Sequence, residues 1–83
     1  MGLGEVHEYG LMNAAAVTPS DTANLPTPCR MLWVGGAGAV KVDTVGGDVG
    51  VTIAAVPAGT RIPLQVKKVY ATGTVATSIV ALY

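Results

Sequence analysis

After residue 28 the chain repeats one pattern: a short apolar or alternating run, then a cluster of glycine, proline or small polar residues. Cys29 to Val34 is dense in apolar side chains and predicts a first strand. Val40-Lys41-Val42-Asp43 alternates, with the valines on one face and the charges on the other. Val51-Thr52-Ile53 alternates again. Ile62 to Tyr70 reads as the longest strand, with Leu64 and Val66 opposite Gln65 and Lys67. Strict alternation would then bury Lys68, so a bulge at Lys67-Lys68 is expected, returning Val69 to the apolar face. Ala76 to Tyr83 predicts the last strand. Between these runs lie Gly35-Gly36-Ala37-Gly38, Val45-Gly46-Gly47-Asp48, Val56-Pro57-Ala58-Gly59-Thr60 and Ala71-Thr72-Gly73-Thr74, whose residue types close tight turns. The expected fold is all-β: a small antiparallel β-sandwich or partly open barrel of about five strands.

The first 28 residues follow a different rule. Tyr9 to Val17 is too short and too weakly periodic for a stable isolated helix, and forms one or two helical turns or lies extended. Pro19, Pro26 and Pro28 then remove backbone donors and push their predecessors toward extended geometry. Ser20-Asp21-Thr22 has the composition to begin a turn or a short helix. The division expected is an extended, proline-rich N-terminal arm over residues 1–28, serving docking, and a β-domain over 29–83.

Composition adds an argument about assembly. The 83 residues suffice for one domain, and 51% are hydrophobic while only 12% are charged. The charged share is about half the usual 25%, too little to coat a small monomer. Thirteen valines, nine threonines and no phenylalanine fit strands with small side chains. A core of valine, alanine and isoleucine buries less area per residue than an aromatic one. Burial is therefore expected to be completed against copies of the same chain or a partner. A net charge of zero argues against nucleic acid as a partner. With Glu5 and Glu8 near the start there is no signal-peptide pattern, and no apolar run reaches the roughly 18 residues of a membrane span. Synthesis in the cytosol without membrane insertion is expected.

Candidate chemistry is sparse. Cys29 is the single cysteine, so an internal disulfide or a CxxC pair is impossible. His7 beside Glu8 and near Glu5 lacks a second histidine for a metal site. Asp43 and Asp48 flank a glycine turn, where aspartate bonds the local backbone, and a calcium loop would need more ligands. Gly35-Gly36-Ala37-Gly38 is followed by no Gly-Lys-Ser/Thr and opens no helix, so it does not cradle phosphate. Ser20 and Ser78 have no suitable base. No catalytic residue, metal ligand or cofactor is assigned, and the chain reads as a non-enzyme. The residues expected at subunit contacts are Trp33, Tyr70, Ile79, Leu82 and Tyr83. The run Ile79 to Tyr83 is apolar on both faces, which calls for pairing within the sheet or against a neighbour.

From Val17 onward the chain resembles the small spike base proteins of tailed bacteriophages and of alphaproteobacterial gene transfer agents. The resemblance rests on Thr18-Pro19-Ser20-Asp21-Thr22, Leu32-Trp33-Val34-Gly35-Gly36-Ala37-Gly38 and Val56-Pro57-Ala58-Gly59-Thr60. It continues through Ile62-Pro63-Leu64-Gln65-Val66 and Ala71-Thr72-Gly73-Thr74-Val75-Ala76-Thr77 to Ile79-Val80-Ala81-Leu82-Tyr83. It implies a virion structural protein on the capsid surface, the base of a head spike or fibre at capsid vertices. The implied partners are other copies of the chain (a pentamer first, a trimer second), the capsid protein and the spike or fibre protein. A capsid decoration or cement protein and a surface carbohydrate-binding module are the alternatives.

Overall fold

The computed structural model describes residues 11–83. Seven strands follow in order: β1 (Ala14–Ala16), β2 (Met31–Gly36), β3 (Gly38–Thr44), β4 (Val51–Val56), β5 (Thr60–Ile62), β6 (Val66–Val69) and β7 (Thr77–Leu82). They form two antiparallel sheets, β1-β7-β2-β5 and β4-β3-β6, packed as a small open sandwich. The all-β sandwich expected from the alternation is what forms, with seven strands in place of about five. Among the described residues no helix is long and apolar enough to cross a membrane.

The core lies between the sheets and is aliphatic. Leu32, Val34, Ile62, Ile79 and Ala81 point inward from one sheet, and Val40, Val42, Val56, Val66 and Val69 from the other. Burial of each larger side chain is worth roughly 1.5–3 kcal/mol, so such a core is adequate but thin. Val17, Leu25, Leu64 and Tyr83 seal its rim. Cys29 is buried just ahead of β2 and bridges to Val66 of the opposite sheet, Cys29 N–H donating to Val66 O at 3.0 Å and Val66 N–H to Cys29 O at 3.2 Å. That bridge closes one side of the sandwich.

The stretch from Ile62 to Tyr70 is a correction: it is two strands in different sheets rather than one long strand. Pro63 cannot donate to a ladder, and the Leu64 N–H turns back to Ile62 O at 2.9 Å, a tight reversal that carries the chain across. The bulge expected at Lys67-Lys68 is present. Asp43 pairs with Lys68 but Thr44 pairs with Val66, leaving Lys67 as the extra residue. The extra residue turns both Val66 and Val69 into the core.

Gly35-Gly36-Ala37-Gly38 is a second correction, because it is not a hairpin turn. Gly36 ends β2, Gly38 begins β3, and Ala37 alone crosses between the sheets. The glycines are there for close approach. A β-carbon at Gly36 would collide with the Thr77 hydroxyl, and one at Gly38 would lie 2.6 Å from the Ala76 nitrogen. Gly38 also has φ of 149°, a conformation that side chains resist.

The two outer strands of the three-stranded sheet are managed differently. Residues of the arm cover β6: Ser20 N–H donates to Val69 O at 2.9 Å and Leu25 N–H to Lys67 O at 2.7 Å. Edge β4 carries a bulge instead, since Gly38 pairs with Val56 but Val40 with Ile53, and Ala55 takes φ of 54°. A bulged edge is a poor template for an unplanned strand. In the other sheet, the Tyr9-to-Val17 stretch is extended where described: Ala14, Ala15 and Ala16 pair with Leu82, Ala81 and Val80.

Candidate functional site

The most densely bonded polar group of the fold joins the arm to the three-stranded sheet. Asp43, expected opposite the core valines and bonded to the local backbone, is only 6% exposed. Its Oδ1 accepts the Gly50 N–H at 2.8 Å and the Tyr70 hydroxyl at 2.8 Å, and Lys68 Nζ stands 3.9 Å from Oδ2. Tyr70 lies under two ammonium groups, with Lys41 Nζ 4.9 Å and Lys68 Nζ 5.0 Å from the ring centre. Lys68 also donates to the Asp21 carbonyl at 3.3 Å. Asp21 in turn accepts the Thr72 N–H at 2.8 Å and the Thr72 hydroxyl at 2.6 Å. Ser20 shapes this approach: its Oγ accepts the N–H groups of Thr22 and Ala23, so the predicted start after Pro19 is a turn.

The electrostatics follow from these bonds. The Gly50 N–H, then the Tyr70 hydroxyl and the Lys68 charge, hold the Asp43 carboxyl below the usual carboxylate value against the opposing effect of burial. The bond to Asp43, with burial, pushes the Tyr70 hydroxyl up. The Thr72 hydroxyl and N–H hold Asp21 down. Burial pushes the Cys29 thiol up, which removes nucleophilic character from it. Among the described residues no buried side-chain nitrogen or oxygen lacks a partner, and no group of three His, Cys, Asp or Glu converges as a metal would need. Asp48, expected to bond its own turn, accepts the Thr44 hydroxyl at 2.9 Å while its N–H donates to Thr44 Oγ1 at 3.0 Å. The cluster is a brace whose acceptors are satisfied within the chain.

The five residues expected at subunit contacts do not form one patch. Ile79 is 4% exposed and faces the core of its own chain. Leu82 pairs with both Ala14 and Met31, so β7 is an interior strand of the four-stranded sheet. Tyr70 belongs to the brace. Trp33 stands on the outer face of β2, 38% exposed between buried Leu32 and Val34. Tyr83 packs at the rim of the core and lines an open pocket of about 310 Å³ with Met12, Asn13, Thr27, Pro28 and Arg30, a pocket that does not take in Trp33. His7 with Glu5 and Glu8 lies outside the described residues. Sequence reasoning passed over other exposed apolar side chains: Met12, Val49 and Val75 stand 87%, 72% and 68% exposed. Val49 was legible in principle, since it follows two glycines and an aspartate at a hairpin tip where no core can reach it.

No established family model matches the chain, and no curated protein does. Among solved structures, a chain of the one described as "Capsid of native GTA particle computed with C5 symmetry" is similar to it, with a TM-score of 0.78 and 30% sequence identity. The similarity covers 88% of this chain and 83% of the other. Likeness of that extent in both backbone and sequence is shared descent, and the chain belongs to the same family as this component of the gene transfer agent capsid, a virion protein of the gene transfer agent and phage kind.

Proposed function

We propose that this protein is the base on which a head spike or fibre is mounted at capsid vertices, acting through homo-oligomeric assembly and attachment to the capsid. The observation that carries the reading is the similarity to a chain of a particle whose capsid was computed with C5 symmetry. Fivefold symmetry is that of a capsid vertex, and a closed ring of five copies avoids open-ended polymerisation. The exposed apolar side chains Trp33, Val49 and Val75 supply surface for such contacts. Residues 1–28 are the attachment arm and residues 29–83 the ring-forming body in this reading. Leu82 and Tyr83 serve the ring indirectly, by holding the β1 edge in place.

The test is the position of the chain in a particle reconstruction, with its copy number. A vertex base is present in roughly tens of copies per particle, and a cement protein in roughly hundreds. Density away from the vertices at the higher copy number would replace the spike base by the cement reading. Native mass spectrometry gives the subunit number, and a closed trimer would overturn the pentamer alone. The described pocket beside Tyr83 does not take in Trp33, so it adds no support to the carbohydrate-binding alternative.

A further inference from the structure

We infer that β1 of one copy adds, antiparallel, to the outer edge of β5 of the next, so that the four-stranded sheets of neighbouring subunits join into one continuous sheet around the ring. The inference rests on the ring of the spike-base reading and names the surface that closes it. Backbone directions locate the open groups. The Val17 N–H donates to Ile79 O at 2.9 Å, and Asn13 exchanges bonds with Tyr83 at 2.6 and 2.9 Å. Residues 13, 15 and 17 therefore turn their backbone toward β7, and the alternation of an antiparallel ladder turns the N–H and C=O of Ala14 and Ala16 outward. At the opposite edge, Val34 O accepts the Gly59 N–H at 2.7 Å, and Leu32 and Val34 pair with Ile62 and Thr60. The backbone of Arg61 is then the one that faces away from β2. Among the described residues no strand lies beyond β1 or β5. Whereas the arm covers β6 and a bulge disrupts β4, β1 carries no such guard: it is exposed, is alanine throughout, and runs without bulge or proline. Leu11 to Ser20 holds no charged residue and Arg61 is the single charge of β5, so no like charge opposes the join. Strand order supplies the direction. Four antiparallel strands, β1-β7-β2-β5, leave the two edge strands running oppositely. Rotation about a ring axis therefore brings β1 of the next copy beside β5 already antiparallel, and each copy offers one edge of either kind. Pairing of β1 with a second β1 is isologous and stops at a dimer, which does not build a ring of five. Because β1 lies within residues 1–28, the contact takes part of the arm into the ring.

Cysteine crosslinking of the full-length protein tests it. Ala14→Cys or Ala16→Cys is combined with Arg61→Cys, since paired strands hold opposite Cα atoms at about 4.5–5.5 Å, within disulfide reach. The native Cys29 is buried and does not compete. After mild oxidation, one of the two combinations should give a ladder of linked species ending at the closed ring, while each single-cysteine variant stays unlinked. Ala16→Pro removes an outward N–H and spares the ladder to β7, so β-sheet circular dichroism should persist. The dissociation constant of the assembly should rise about fivefold to tenfold per contact, the scale of one lost hydrogen bond. Linked dimers from a single-cysteine variant would overturn the inference in favour of a twofold β1 contact. An oligomer in native mass spectrometry that links in neither combination would overturn the edge contact and leave the ring reading standing. A monomer at micromolar concentration that links in neither would overturn both.

Discussion

The Tyr70 hydroxyl donates a 2.8 Å hydrogen bond to Asp43 Oδ1 across the β3–β6 side of the sandwich, which pushes Tyr70 up and adds to the Gly50 N–H in holding Asp43 down. Asp43 is held low, so its contribution to stability is present above the unfolded carboxylate value of 3.8 and is lost as pH falls through the lower folded value. Tyr70 is pushed up, so its contribution is present below the ordinary value of 10.0 and is lost as pH rises through the higher folded value. The melting temperature should form a plateau between these limits. Tyr70→Phe should lower the plateau and lessen the alkaline fall, the rest of which belongs to the buried Cys29 thiol, while leaving the acid one, which thermal unfolding across pH will show.

Crossing between the sheets depends on absent side chains. Gly36→Ala drives a methyl group into Thr77, and Gly38→Ala drives one into the Ala76 backbone at an unfavourable φ. Overpacking of this kind costs about 1–3 kcal/mol, and more where backbone is struck. Gly38→Ala should be the worse of the two by denaturant unfolding.

Deleting Ile79 to Tyr83 removes most of an interior strand, because β7 pairs with β1 on one side and β2 on the other. The loss of several buried side chains at roughly 1.5–3 kcal/mol each approaches the whole margin of about 5–15 kcal/mol. The shortened chain should not be recovered as soluble protein. An unchanged oligomer on size exclusion would show that β7 is dispensable.

Trp33→Ala should leave the β-sheet circular dichroism intact, since the ring stands on the outer face of β2. Assembly should weaken, visible as a smaller species in sedimentation velocity at micromolar protein. An unaltered distribution would remove this face from the proposed subunit contacts.

Much of the fold was legible in side-chain spacing. Val40 with Val42, and the bulge that turns Val66 and Val69 to one side, follow from a period of two with one inserted residue. The break at Pro63 was also written in the chain, as a missing donor inside an apparent strand, but alternation across Leu64 to Lys67 masked it. Gly36 and Gly38 were misread because a glycine needed for close approach and one needed for a turn look the same until the opposing strand is placed. The backbone bond of Asp43 was legible from its place beside a glycine turn, but its cover by Lys68 and Tyr70 was not, since neither is local to β3. Trp33 kept an exposed position, whereas Ile79 was claimed by its own core, a distinction that composition alone does not carry.

The placement of β7 between β1 and β2 has a kinetic consequence. Ala14 pairs with Leu82, and Met31 pairs with the same residue, so the four-stranded sheet is assembled from segments far apart along the chain. Among the described residues only β3 and β4 form a local hairpin. Domains dominated by such distant pairings fold on the scale of about milliseconds to seconds, far slower than helical proteins of this size. Until β7 arrives, the alanines of β1 have no ladder and the inner faces of β2 and β3 stay wet. Newly made chains therefore spend their most adhesive interval before the sheet closes, and chaperone capacity during rapid synthesis should limit how much of the protein reaches its folded form.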